Sequence, residues 1–161
     1  MRYKNMQKVL AFALLASSWL LASCGNNGCE ETRESYLCVN LKATGRIELK
    51  ALNVWALTDD GDSLKIKVKT PTDLELNLKP DTTVTRFRLQ CIFDDLGDDY
   101  QTNDTLIVRY TSFPYYLNME CGCSMFYAIE EVSITDHLFK NLTLESNEIS
   151  NEEKTNIILK Y

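Results

Sequence analysis

From Tyr36 to the C-terminus the chain repeats with a period of two, and that period limits what it can fold into. Leu37, Val39 and Leu41 alternate with Cys38, Asn40 and Lys42. Ile47, Leu49 and Ala51 share one phase while Leu52, Val54 and Ala56 share the other, so a bulge or bend is expected within residues 46–57. Asp59-Asp60-Gly61-Asp62 reads as a hairpin turn, because Asp and Gly tolerate positive φ. Beyond it, Leu64, Ile66 and Val68 are expected to face the core and Lys65, Lys67 and Lys69 the solvent. Such a lysine row suits an edge strand, where charge discourages pairing with another chain. Leu74, Leu76 and Leu78 continue the alternation, as do Phe87, Leu89, Cys91 and Phe93 against Arg86, Arg88 and Gln90.

Strand-like runs follow at Thr105–Thr111, Tyr115–Glu120 and Ser124–Ile134. In the last, Tyr127 and Ile129 fall out of phase with Val132 and Ile134, which places a second bulge at Glu130-Glu131. Leu138, Leu142 and Leu144, then Ile157, Leu159 and Tyr161, complete the pattern. Successive side chains of a strand point to opposite faces, whereas a helix repeats every three or four residues. No window of 12 or more residues carries a helical stripe. The expected fold is all-β, an antiparallel β-sandwich, with the immunoglobulin-like arrangement as one of its forms.

The start of the chain follows another rule. Arg2, Lys4 and Lys8 precede an apolar run from Val9 to Leu21, which is shorter than the ~20 residues of a spanning helix. Leu21-Ala22-Ser23-Cys24 resembles a bacterial lipobox, in which small residues admit a signal peptidase and the Cys24 thiol takes a diacylglycerol. The expected organisation is a signal peptide over 1–23, a lipidated tether over 24–35 and one β domain over 36–161. Three of the 17 basic residues precede Cys24 and none of the 23 acidic ones do, so the mature charge is −9. That balance repels phosphate backbones, and no nucleic-acid partner is expected. Export places the domain where disulfides persist. Cys29, Cys38, Cys91, Cys121 and Cys123 are the disulfide candidates, and their odd number leaves at least one unpaired within the chain. Connectivity is not readable from sequence; the pair taken first is Cys29 with Cys121.

Several stretches together resemble an uncharacterised family of small lipoproteins from Bacteroides-type bacteria. These are Cys29 soon after the anchor, Leu74-Glu75-Leu76-Asn77-Leu78-Lys79-Pro80 and Asp104-Thr105-Leu106-Ile107-Val108-Arg109-Tyr110. Glu120-Cys121-Gly122 and the closing Asn156-Ile157-Ile158-Leu159-Lys160-Tyr161 belong with them. Cys38, Cys91 and Cys123 depart from that pattern. The resemblance implies a lipid-anchored outer-membrane protein, periplasmic or surface-exposed, with a β fold and no assigned activity. Gly25 after the anchor fits transfer to the outer membrane, and Glu30-Glu31 looks like an acidic surface-export tether.

Candidate chemistry is sparse. Cys121-Gly122-Cys123, if on a strand, directs both sulfurs to one face, where they would suit a soft metal such as Cu(I). No Met or His is evidently paired with them, so structural disulfide use is the stronger expectation. The acidic turns Asp59, Asp60, Asp62 and Asp94, Asp95, Asp98, Asp99 lack EF-hand spacing and read as solvated turns. Trp55, Phe113, Tyr115, Tyr116, Phe126 and Tyr127 are core packing or, in part, a sugar platform, with Phe113, Tyr115 and Tyr116 the residues of interest. His137 sits beside Asp136, and no nucleophile motif accompanies it. Ser63, Thr82 and Thr105 follow an Asp, as in Bacteroides-type O-glycosylation sites. The expected function is non-enzymatic binding or structural interaction at the envelope, without a cofactor. Its partners would be the membrane, through the lipid, and an envelope protein or glycan. A glycan-binding accessory lipoprotein is the alternative, and a thiol- or metal-handling protein comes third.

Overall fold

The computed structural model describes residues 29–45, 49–58, 60–61, 63–68, 70–95 and 98–161. The signal peptide, Cys24 and the start of the tether, residues 24–28, lie outside these residues, as do Ile47, Asp59, Asp62 and Lys69. The chain divides into two units, Met1–Glu30 and Glu31–Tyr161. The second is a β-sandwich. Among the described residues no helix is long and apolar enough to cross a membrane.

Among the described residues ten strands make up its two sheets: β1 (Tyr36–Lys42), β2 (Leu49–Leu57), β3 (Ser63–Ile66), β4 (Asp73–Asn77), β5 (Val84–Asp95), β6 (Asp98–Asn118), β7 (Gly122–Ile134), β8 (Asn141–Leu144), β9 (Glu148–Ile149) and β10 (Thr155–Lys160). One sheet runs β4-β1-β10-β8 and the other β3-β2-β5-β6-β7-β9. Pairing is antiparallel throughout the described strands, except that β1 and β10 run parallel. An immunoglobulin-like sandwich has seven to nine strands; this one places four against six.

The core lies between the sheets and comes from the alternation. Leu37, Val39 and Leu41 of β1, Leu74 and Leu76 of β4, and Ile157 and Leu159 of β10 meet Phe87, Leu89, Cys91 and Phe93 of β5 and Leu106, Val108 and Tyr110 of β6. Both expected bulges form. The β2–β5 register shifts between Leu49 and Ala51, and β7 skips Glu130, since Arg109 faces Glu131 while Tyr110 faces Ile129. Gly61 takes φ 87° in the β2–β3 turn. A third irregularity was not legible: β10 skips Asn156 against β1, and the buried Asn156 side chain accepts from the Cys38 amide instead, at 3.0 Å.

Two expectations need correction. Leu64 faces solvent at 70% exposure, and β3 ends at Ile66. β3 is the outermost strand of its sheet, and of its residues only Ile66 is partly buried against the core. The runs Thr105–Thr111 and Tyr115–Glu120 also belong together. Residues Asp98–Asn118 form one continuous strand, which Pro114 does not break, with Glu120 in the turn that follows.

Tyr110 locks the interior. Its ring is fully buried and meets Tyr127 edge-on at 5.5 Å. Its hydroxyl donates to the Lys79 carbonyl at 2.9 Å, accepts from the Lys79 amide at 3.1 Å and pairs with Thr85 Oγ1 at 2.7 Å. The connection from β4 to β5 is thereby tied to the centre of β6.

Candidate functional site

The β6–β7 hairpin projects an aromatic end, and three residues organise it. Asn118 Oδ1 accepts from the amides of Glu120 and Cys121 at 2.9 and 2.7 Å, closing the turn, while its Nδ2 donates to Glu31 Oε1 at 2.8 Å. Gly122 takes φ 72°, a left-handed conformation that favours glycine. Ser124 Oγ donates to the Arg33 carbonyl, fastening the segment before β1 to β7. On the other side, Asn156 Nδ2 donates to the carbonyls of Ser146 and Glu148 at 3.3 and 2.8 Å, and the Ile129 amide donates to Asn147 at 2.7 Å.

These ties frame a cleft of about 470 Å³, within the usual range for small-molecule sites. Tyr115, Leu117 and Phe126 supply its apolar wall, Glu31, Glu148 and Glu152 its carboxylates and Lys154 its cation. Tyr115 stacks on Phe126 with ring centroids 4.5 Å apart and planes at 9°. Phe126 is buried whereas Tyr115 stays half exposed, so the tyrosine has one face supported and surface left open.

The expected aromatic strip is divided by the pleat. Phe113 lies opposite Phe126 and touches it edge-on at 6.4 Å. Tyr116 pairs with Cys123 and so points to the other face of the hairpin. Tyr127 turns inward and donates to the Leu78 carbonyl at 3.2 Å. Trp55 lies away from the hairpin, on β2, with the Arg88 guanidinium 4.4 Å and the Lys65 ammonium 5.7 Å from its ring centre. Of the proposed ligand-binding residues Phe113, Tyr115 and Tyr116, only Tyr115 lines the cleft. The Ser146–Lys154 wall was not found by sequence reasoning, since its polar residues read as an ordinary loop.

Cys29 and Cys121 form a disulfide. Cys38, Cys91 and Cys123 are free thiols, which corrects their candidacy for bridges. Cys91 faces the core, where burial first and the nearby Asp104 charge second push its pKa to about 12. Cys38 is half-buried, its pKa raised by burial and then by Glu75. Cys121 and Cys123 do not share an environment: Cys121 is in the turn and buried, Cys123 on β7 and exposed. The positive φ of Gly122 breaks the strand geometry that would have aligned them. Among the described residues no cluster of three or more His, Cys, Asp or Glu suits a metal. The side chains of the Asp94–Asp99 turn lie outside the described residues.

His137 pairs with Asp104, not Asp136: its Nδ1 lies 3.1 Å from Asp104 Oδ1. Asp104 is almost fully buried and also accepts from Thr135 Oγ1 and the amides of His137, Leu138 and Phe139. Burial raises its pKa, and these donors together outweigh that and hold it below the usual carboxylate value. With its lone pairs spent on one loop, Asp104 builds the crossover from β7 to β8. Ser63 is exposed and Thr105 half-buried within β6, while the Thr82 hydroxyl lies 3.1 Å from Tyr110 Oη.

Together the fold and site define a two-sheet β-sandwich with a ligand-sized cleft beside one long hairpin. A protein family of unknown function, DUF6452, matches residues 51–161, and the chain belongs to it. No curated protein and no solved structure matches.

Proposed function

We propose that this protein is a lipid-anchored, non-enzymatic envelope lipoprotein that binds a neutral or amino saccharide in the β6–β7 cleft. The observation that carries the saccharide reading is the Tyr115 ring, stacked on Phe126 and half exposed at the cleft wall. A pyranose presents C–H groups on one face and hydroxyls at its edge. The first suit an aromatic face, and the second suit carboxylate and amide partners such as Glu31, Glu148 and Asn151. Three carboxylates against one lysine favour a ligand without negative charge. The anchor rests on the lipobox, and with it an outer-membrane location of the Bacteroides type. Mass spectrometry of the N-terminal peptide should find a diacylated Cys24; an unmodified peptide beginning elsewhere refutes the anchor. For the cleft, an array of neutral and amino oligosaccharides should yield ligands that Tyr115→Ala no longer captures while the melting transition stays in place. Unchanged capture by Tyr115→Ala overturns the site.

A further inference from the structure

The outer face of the six-stranded sheet carries a second arrangement, on the other half of β6. Phe87 and Leu89 are fully buried, so Arg88 between them points away from the core. It lies in register with Trp55 of β2 on one side and Thr105 of β6 on the other, and Trp55 is in turn opposite Lys65 of β3. Two cations from different strands therefore converge on one indole, at 4.4 and 5.7 Å.

A half-buried arginine ordinarily spends its five donors on carboxylates or carbonyls. Among the described residues Arg88 makes no hydrogen bond or ion pair, and its buried Nε has no partner. Stacking on Trp55 holds the guanidinium plane but satisfies none of its N–H groups. Lys65 adds like charge to the same place. An anion beside them would meet both charges at once, and the chain's net charge of −6 makes a cationic face an exception on its surface.

The neighbouring register position supplies a different chemistry. Asn53 Nδ2 donates to Gln90 Oε1 at 3.1 Å, and Gln90 Nε2 lies 3.5 Å from Gln101 Oε1, so amides from three strands run in line. Their outer donors and acceptors suit hydroxyl groups. We infer that the Lys65–Trp55–Arg88 row, with the Asn53–Gln90–Gln101 amides beside it, binds the carboxylate of an acidic sugar, a uronate unit within a glycan. A planar carboxylate matches the guanidinium fork, and the amides take the ring hydroxyls. The anion site stands on its own geometry; only the choice of a sugar rests on the saccharide reading above. Thr105 and Tyr115 stand ten positions apart on β6, roughly 33 Å of strand, so the two sites do not overlap.

Titration of the mature protein with galacturonate oligomers, followed by calorimetry and by Trp55 fluorescence, tests the inference. Arg88→Gln should weaken binding by about tenfold or more, the worth of a hydrogen bond to a charged group. Lys65→Ala should weaken it by a smaller factor, and the fully methyl-esterified oligomer should not bind. Tyr115→Ala should leave uronate binding intact, which separates failure of this site from failure of the cleft. Lys65 lies on an exposed edge strand, so its variant keeps the test valid if Arg88→Gln misfolds. Absence of uronate binding, or binding unchanged in both variants, overturns the inference. Competition by free sulfate at the same concentration as the oligomer also overturns it, by reducing the site to a bare anion contact.

Discussion

Replacing Asp104 should expose how one carboxylate holds the two sheets together. Its Oδ1 accepts from Thr135 Oγ1 at 2.5 Å, the His137 amide at 3.0 Å and His137 Nδ1 at 3.1 Å; its Oδ2 accepts from the amides of Leu138 and Phe139 at 2.8 and 3.3 Å. Thr135 and His137 are exposed and can turn to water, so the main loss falls on the Leu138 and Phe139 amides, the latter in a buried residue. Hydrogen bonds to a charged acceptor contribute about 1.5–3 kcal/mol each, and a buried donor left unpaired costs about 1–3 kcal/mol. Asp104→Ala is therefore expected to cost about 3–5 kcal/mol, and Asp104→Asn, which keeps one acceptor oxygen but turns an NH₂ toward donors, about 2 kcal/mol. Against a typical total of about 5–15 kcal/mol, either is readily measured as a shift in urea midpoint at constant slope. The pH dependence makes the test specific. The folded pKa of Asp104 is lowered, so in the window below the unfolded value of about 3.9 the unfolded chain binds more protons. The contribution is complete above that value and is lost as pH falls through the folded pKa. The gap between wild type and Asp104→Asn should accordingly be full at neutral pH and shrink below about pH 4. A gap under about 0.5 kcal/mol at neutral pH, the range of an ordinary surface change, would refute the reasoning. So would a gap that does not change with acidification.

Two other outcomes follow from the core and the thiols. Tyr110→Phe should lower stability by about 1–3 kcal/mol, because Thr85 Oγ1 and the Lys79 amide lose their buried partner; a change within about 0.5 kcal/mol in a denaturant titration would show that water replaces the hydroxyl. Under native, non-reducing conditions Cys123 should alkylate readily and Cys91 should not, given its burial and its pKa of about 12, while Cys29 and Cys121 should label only after reduction; peptide mapping showing Cys91 modified as fast as Cys123 would contradict the buried placement.

The period-two pattern by itself determined the all-β class, the inward sets of β1, β4 and β5 and both expected bulges. It could do so because strand pleating is local: a side chain's face depends on its parity, and a bulge appears as a change of phase in one stretch of chain. The same logic misplaced Leu64, where parity was right for a strand but burial also depends on where that strand stands in its sheet, here at the edge. It misread Cys121 and Cys123 as neighbours on one face, since a single left-handed glycine between them is a matter of turn geometry. The tertiary structure alone decided which polar residues meet. Asp104 and His137 are 33 positions apart and share a hydrogen bond only because β6 and β7 pair, with Leu106 opposite Ile134. Likewise, Glu31 reaches the cleft through Asn118, and Arg88 reaches Trp55 through the β2–β5 register. Apolar burial is non-directional and survives averaging over a sequence pattern, whereas a hydrogen bond or a stacked cation requires two particular atoms within a few ångströms. That requirement is set by the path of the whole chain, so the fold was legible from residue types, whereas of the cleft only aromatic residues such as Tyr115 were.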